Sequence, residues 1–100
     1  MHDLAIRLIT RYIEEALFEP CAGWSPDMFE RRSYARWAAF ELIERIMDNP
    51  FDTPNFIVGD FILDMIACQC IADGRETALI FAIAVDTAEE ILHILKGEHL

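Results

Sequence analysis

The sequence predicts an all-α fold, a four-helix, up-down-like bundle with short loops, in one domain over residues 1–100. Three observations predict it. Apolar residues recur at helical spacing through most of the chain. Cap-and-breaker signals recur at Ser25-Pro26, Thr53-Pro54 and Asp73-Gly74. Gly and Pro number only four each, and most lie between the apolar runs. One hundred residues are one domain by length, just enough to bury a core without disulfides or metals. A hydrophobic content of 54% rules out a disordered tail.

The first helix is expected over about residues 3–19. Asp3 is placed to cap it, and Ile6, Ile9, Ile13, Ala16 and Leu17 share a face. Arg7, Arg11 and Glu14 fall opposite, with Arg11 and Glu15 one turn apart as an ion pair. Pro20 to Gly23 break the pattern. The second helix is expected over 26–48, capped by Ser25 with Pro26 at its first position and Asp27 at the positive end of the dipole. Arg31, Arg32 and Arg36 interrupt its apolar face, so a break near Ser33 is allowed for. From there Ala35, Ala39, Leu42, Ile43, Ile46 and Met47 form a clear stripe.

Asn49 to Asp52 read as a turn. The third helix, over 54–72, has apolar residues nearly all round: Phe56, Ile57, Val58, Phe61, Ile62, Leu63, Met65, Ile66 and Ile71. Its polar line is Asp60 and Asp64, with Gln69 beyond, and Gly59 lies inside it. Asp73 and Glu76 have capping-box spacing and open a fourth helix over 75–96, ending at Gly97. Ile80, Ala84, Thr87, Ala88, Ile91 and Leu95 form one face. Asp86, Glu89, Glu90 and His93 lie on the other, although Leu79 and Ala82 also fall there.

Net charge is −10, from 18 acids and 8 bases, and it is uneven. Residues 1–45 hold six bases and eight acids; residues 46–100 hold only Arg75 and Lys96 against ten acids. Phosphate binding needs clustered Lys and Arg, so direct nucleic-acid binding is not expected. A basic partner, or solubility alone, suits the charge better. The longest apolar stretches, Phe56–Ala72 and Thr77–Ala88, are cut by aspartates, and no membrane span or signal peptide is expected. Three cysteines, Cys21, Cys68 and Cys70, fit reduced thiols and a cytoplasmic location. Residues two apart on a helix point about 200° apart, so Cys68 and Cys70 suit apolar filling better than one shared metal.

Candidate chemistry is sparse. Glu90-x-x-His93 matches one half of the ligand set of a di-iron carboxylate bundle. A single unit requires a homodimer to complete the set, and both residues are predicted to face solvent. Asp60 and Asp64, buried together, would make an acid–base pair; as an exposed stripe they would not. The only serines are Ser25 and Ser33, and the only histidines are His2, His93 and His99, two of them at chain ends. No phosphate loop, nucleophile elbow or CxxC is present. No enzyme, no cofactor and no metal are therefore expected.

The aromatic residues carry more. Tyr34 and Trp37 fall with Glu41 and Asp48 on the side of the second helix away from Leu42 and Ile46, as interface anchors would. Trp24, between Pro20 and Pro26, is expected to fold over the end of the bundle. The leading expectation is a non-catalytic protein-interaction module, homodimeric through the third helix unless that helix is the centre of a monomer. The alternative is a small acidic inhibitor or regulator that binds a basic protein, as phages and mobile elements carry, by analogy of size and charge. A dimeric metal-carboxylate enzyme on Glu90 and His93 is the third. The candidate partner-binding residues are Tyr34, Trp37, Glu41, Asp86, Glu89 and Glu90.

Overall fold

The computed structural model describes residues 1–18 and 26–98. Ser25 as a cap, the Trp24 loop, Cys21 and His99 lie outside the described residues. Four helices follow in order: α1 (His2–Tyr12), α2 (Pro26–Asp48), α3 (Pro54–Ile71) and α4 (Arg75–Gly97). A π-helical stretch, Ile13–Leu17, continues α1. Among the described residues there is no strand. The fold is an all-α helical bundle.

The radius of gyration, 13.7 Å, is that of a compact chain of this length. The thinnest extent, 21 Å, equals about two helix diameters, so the bundle is two layers deep. α4 packs against each of the other three helices, whereas α3 packs chiefly on α4. The central helix is therefore α4, not α3. The core comprises Ala5, Ile9, Ile13 and Leu17, then Ala35, Ala38, Ala39, Leu42 and Ile46. α3 adds Ile57, Val58, Phe61 and Met65, and α4 adds Ala84, Ala88, Ile91 and Leu95. Six of these core residues are alanines, small enough to let helix backbones come close.

The helix ends differ from expectation in three places. Asp3 makes no cap; Met1 precedes α1 without a side-chain cap bond. Asp73 makes none either, because Gly74 takes the N-cap position at φ 96°, a left-handed conformation for which glycine is the default. Gly97 is the last residue of α4, not a left-handed terminator, and Glu98 follows it. α2 runs without a break through Ser33. Met47 belongs to the surface, 65% exposed, and Ala38 takes its expected place in the core.

The Thr53 cap stands as expected: its Oγ1 accepts from the Phe56 amide at 3.3 Å, with Pro54 behind it. Thr53→Ala should cost about 1 kcal/mol, read as a lower urea midpoint at unchanged slope. No change would mean that the cap contributes nothing. Upstream, Asn49 closes the turn by accepting from the Phe51 and Asp52 amides and donating to Asp52 at 2.7 Å. His2, at the other end of the sequence, lies 3.0 Å from the Asn49 carbonyl and ties α1 to this turn.

One expectation about α3 needs correction. By length and composition its 18 residues are apolar enough to cross a membrane, at mean hydropathy 1.4. Asp60 and Asp64 do not lower it below that level. A third of the helix is buried within the bundle.

Candidate functional site

The C-terminal end of the first helical segment is held by side chains of α2. A helix leaves its last carbonyls without intrahelical partners. Here Arg32 donates to the Ala16 carbonyl, and Arg36 donates to the Leu17 carbonyl at 2.9 Å. Two of the three arginines that interrupt the apolar pattern of α2 thus cap its neighbour, and their charge suits the negative end of the dipole. Arg36 also lies 5.1 Å above the Phe18 ring, which meets Phe40 edge-on at 6.5 Å.

Beside this junction is a groove of about 540 Å³ lined by residues of α1, the π stretch, α2 and α4. Tyr12, Arg31, Arg32, Asp86, Thr87 and Glu90 supply its polar groups. Burial, then the nearby Glu90 carboxylate, raise the Tyr12 pKa, and Arg32 opposes them. Tyr12 is therefore a protonated hydrogen-bond donor at neutral pH. Arg31 is paired with Asp27 at 3.1 Å. Among the described residues that line it, the groove carries both signs of charge and no thiol, serine or histidine.

The paired-carboxylate reading of α3 does not gain a buried site. Asp60 and Asp64 are both exposed, and Asp64 accepts from Arg45 at 2.9 Å. Arg45 also pairs with Glu41 at 3.7 Å and stacks 4.9 Å above the Phe61 ring, so it joins α2 to α3. Glu90 and His93 are exposed on α4, as is Glu89. No cluster of three or more metal-ligating side chains occurs among the described residues.

The expected aromatic anchors fall less neatly. Trp37 is 44% exposed. Tyr34 is half-buried and donates to Glu30 at 2.6 Å, which pushes its pKa up to about 12. Glu41 is half-buried against Arg45, and Asp86 lines the groove. The sequence reading missed Phe29 and Phe40, each about half exposed, and Phe18 beside Phe40. A signal was present: Phe29, Arg36, Phe40 and Met47 recur at intervals of seven, four and seven, one line along a helix opposite Leu42.

The larger uncovered surface belongs to α3 and the start of α4. α3 buries Ile57, Val58, Phe61 and Met65 but exposes Phe56, Leu63, Ile66 and Ile71. From Ile66 through Ile83, across the α3–α4 link, no residue is buried. Ile66, Ala67, Cys70 and Ile71 are exposed, whereas Cys68 and Ala78 to Ile83 are half-buried, with Cys68, Phe81 and Ile83 packed against the core. Phe51, before α3, is 95% exposed. Monomeric proteins seldom leave contiguous apolar surface of more than a few hundred Å².

The fold and these surfaces define a small acidic helical bundle with two uncovered apolar faces, a short one on α2 and a longer one on α3 and the α3–α4 hairpin. No protein-family model, curated protein or solved structure matches the chain.

Proposed function

We propose that this chain is a non-catalytic, cytoplasmic protein-interaction module that works as a homodimer through α3 and the α3–α4 hairpin. The observation that carries the proposal is the unburied run from Ile66 to Ile83. An isolated bundle gains nothing from the exposed apolar side chains of this hairpin, Ile66, Ala67, Cys70 and Ile71. A second copy gains about 25 cal/mol for each Å² it covers, against the cost of association. Two-fold pairing is the commonest solution among soluble oligomers.

The charge distribution supports this reading over mimicry of nucleic acid. Exposed acids occur on all four helices, and arginines stand among them: Arg11 with Glu15, Arg31 with Asp27, Arg45 with Glu41 and Asp64. A mimic needs a ridge of acids uninterrupted by bases. The face of α2 that carries Phe29, Trp37 and Phe40, with Phe18 beside Phe40, is left for a different protein, with aromatic anchors of the type that dominate interfaces.

Sedimentation velocity and light scattering at micromolar concentration test the proposal. The expected result is twice the mass of one chain, with dissociation only on dilution. A species of one-chain mass throughout, or a monomer that floats with neutral lipid vesicles, would overturn it.

A further inference from the structure

The outer face of α3 has a register of its own. Phe56, Leu63 and Cys70 recur every seven residues, and Gly59 and Ile66 lie three after the first two. That is the a/d spacing of a coiled-coil seam. The seam is separate from the face that packs on α4. Phe56 is 60%, Leu63 66% and Ile66 41% exposed, and Cys70 is exposed. Gly59 is in the middle of a helix, and a Cβ added there would meet nothing within 4 Å. Nothing within the chain calls for glycine at this point, whereas a second helix crossing closely would.

The two ends of the seam differ in charge. Beside Phe56 a groove of about 310 Å³ holds the carboxylates of Asp48, Asp52 and Asp60. Among the described residues its one cation, Arg45, is already engaged with Glu41 and Asp64. At the other end, Arg75 opens α4. It is exposed and makes no ion pair among the described residues. It is also one of only two bases in residues 46–100.

We propose that two copies pack α3 against α3 antiparallel, about a two-fold axis level with Asp64 and Met65, and that Arg75 of each chain enters the acidic groove of the other. This rests on the homodimer reading and specifies its geometry. Antiparallel seams pair a positions with d positions. Leu63 then meets the partner's Ile66 in two central layers, and Gly59 meets the partner's Cys70 in two outer ones. The outer layers are small, so the backbones approach closely there. Phe56 falls opposite the partner's Asp73, so the partner's α3–α4 link, and the Arg75 that follows it, lie at the end of the seam that carries Asp48, Asp52 and Asp60. A parallel pair would instead set each acidic groove beside its own copy and leave both Arg75 side chains far from it.

The apolar area is sufficient. A standard interface buries about 800 Å² on each partner, a little over half of it apolar. Phe51, Phe56, Leu63, Ile66 and Ile71 are 41 to 95% exposed. At roughly 150 to 250 Å² for a large side chain, they present on the order of 600 Å².

Disulfide trapping reads the register. Gly59→Cys is introduced into a chain carrying Cys21→Ser and Cys68→Ser, with Cys70 retained, and the protein is oxidised at a concentration where light scattering gives a dimer. Most of the protein should run as a covalent dimer without reductant, and Cys70→Ser should abolish the band. The Cys70-only chain with Gly59 intact should stay unlinked. Arg75→Glu should weaken association at least tenfold and lose its effect at high salt. A dimer by mass in which Gly59→Cys does not link to Cys70, or in which Cys70 links to its own copy, overturns the antiparallel register and leaves the homodimer standing. An Arg75→Glu dimer of unchanged affinity overturns the groove contact. A one-chain mass overturns the homodimer reading itself.

Discussion

Phe61→Ala should cost the fold about 3–5 kcal/mol, a large share of the roughly 5–15 kcal/mol that holds a small domain together. Phe61 has 0% exposure and is among the largest fully buried side chains. Its removal leaves a cavity between α3 and α4, and helices that pack through alanines have little slack with which to collapse into it. It also removes the ring beneath the Arg45 guanidinium, 4.9 Å away. That contact at an exposed site contributes about 0.5–1 kcal/mol, so the cavity is the larger effect. Urea unfolding followed by circular dichroism should show the loss, with a melting temperature lower by on the order of 20 °C. A loss below about 1 kcal/mol would mean that α3 does not present this face to the core.

The sequence foretold α2, α3 and α4 to within one residue, and the first helical segment to within two when the π-helical stretch Ile13–Leu17 is counted with α1, because helical spacing and chain breakers are local signals; the change to π geometry at Ile13 was not foretold. The register of α3 was beyond it. Phe56 and Phe61 are the same residue type on the same helix, yet one is 60% exposed and the other buried. An amphipathic helix announces its buried side; a helix that is apolar all round does not. Which side turns inward depends on α4, which is distant in sequence from Phe56. The arginines of α2 were obscure for a related reason. Arg32 and Arg36 look like interruptions until Ala16 and Leu17 are brought beside them, 16 and 19 residues away in the chain. Caps made by the helix's own neighbours in sequence, such as Thr53, are legible; caps supplied by another helix are not.

Of the candidate partner-binding residues, Trp37 lies on the exposed α2 face, and Asp86 and Glu90 line the groove beside Tyr12. Tyr34 and Glu41 are half-buried and occupied by Glu30 and Arg45. Tyr34 and Trp37 stand out in the sequence because a polar-tipped aromatic on the polar side of a helix suits an interface, whereas a phenylalanine such as Phe29 or Phe40 suits a core equally well. Once Ala35, Ala38, Ala39, Leu42 and Ile46 fill the core side of α2, no room remains there for Phe40.

Leu63→Glu should do the opposite of Phe61→Ala, leaving the single chain folded while separating the pair. Leu63 is 66% exposed, two residues from Phe61 and on the other side of α3. Exposed substitutions of this kind change chain stability by about 0.5 kcal/mol or less, and glutamate forms helix nearly as well as leucine. In the dimer the same side chain is covered in both copies. Burial of a leucine contributes about 1.5–3 kcal/mol, so two lost contacts amount to roughly 3–6 kcal/mol. At about 1.4 kcal/mol per factor of ten, association weakens by about 100-fold to 10⁴-fold. The two new carboxylates would lie in adjacent central layers, where they repel each other and cannot be hydrated, and Asp60 and Asp64 add to a field that is already negative. Sedimentation should give a one-chain mass at concentrations where the parent is a dimer. The circular dichroism spectrum should keep its helical intensity. Thermal melts of both proteins, at dilutions where each is a monomer, should coincide within a few degrees. A Leu63→Glu protein that still sediments as a dimer would remove α3 from the interface and leave the exposed α2 face as the surface that pairs.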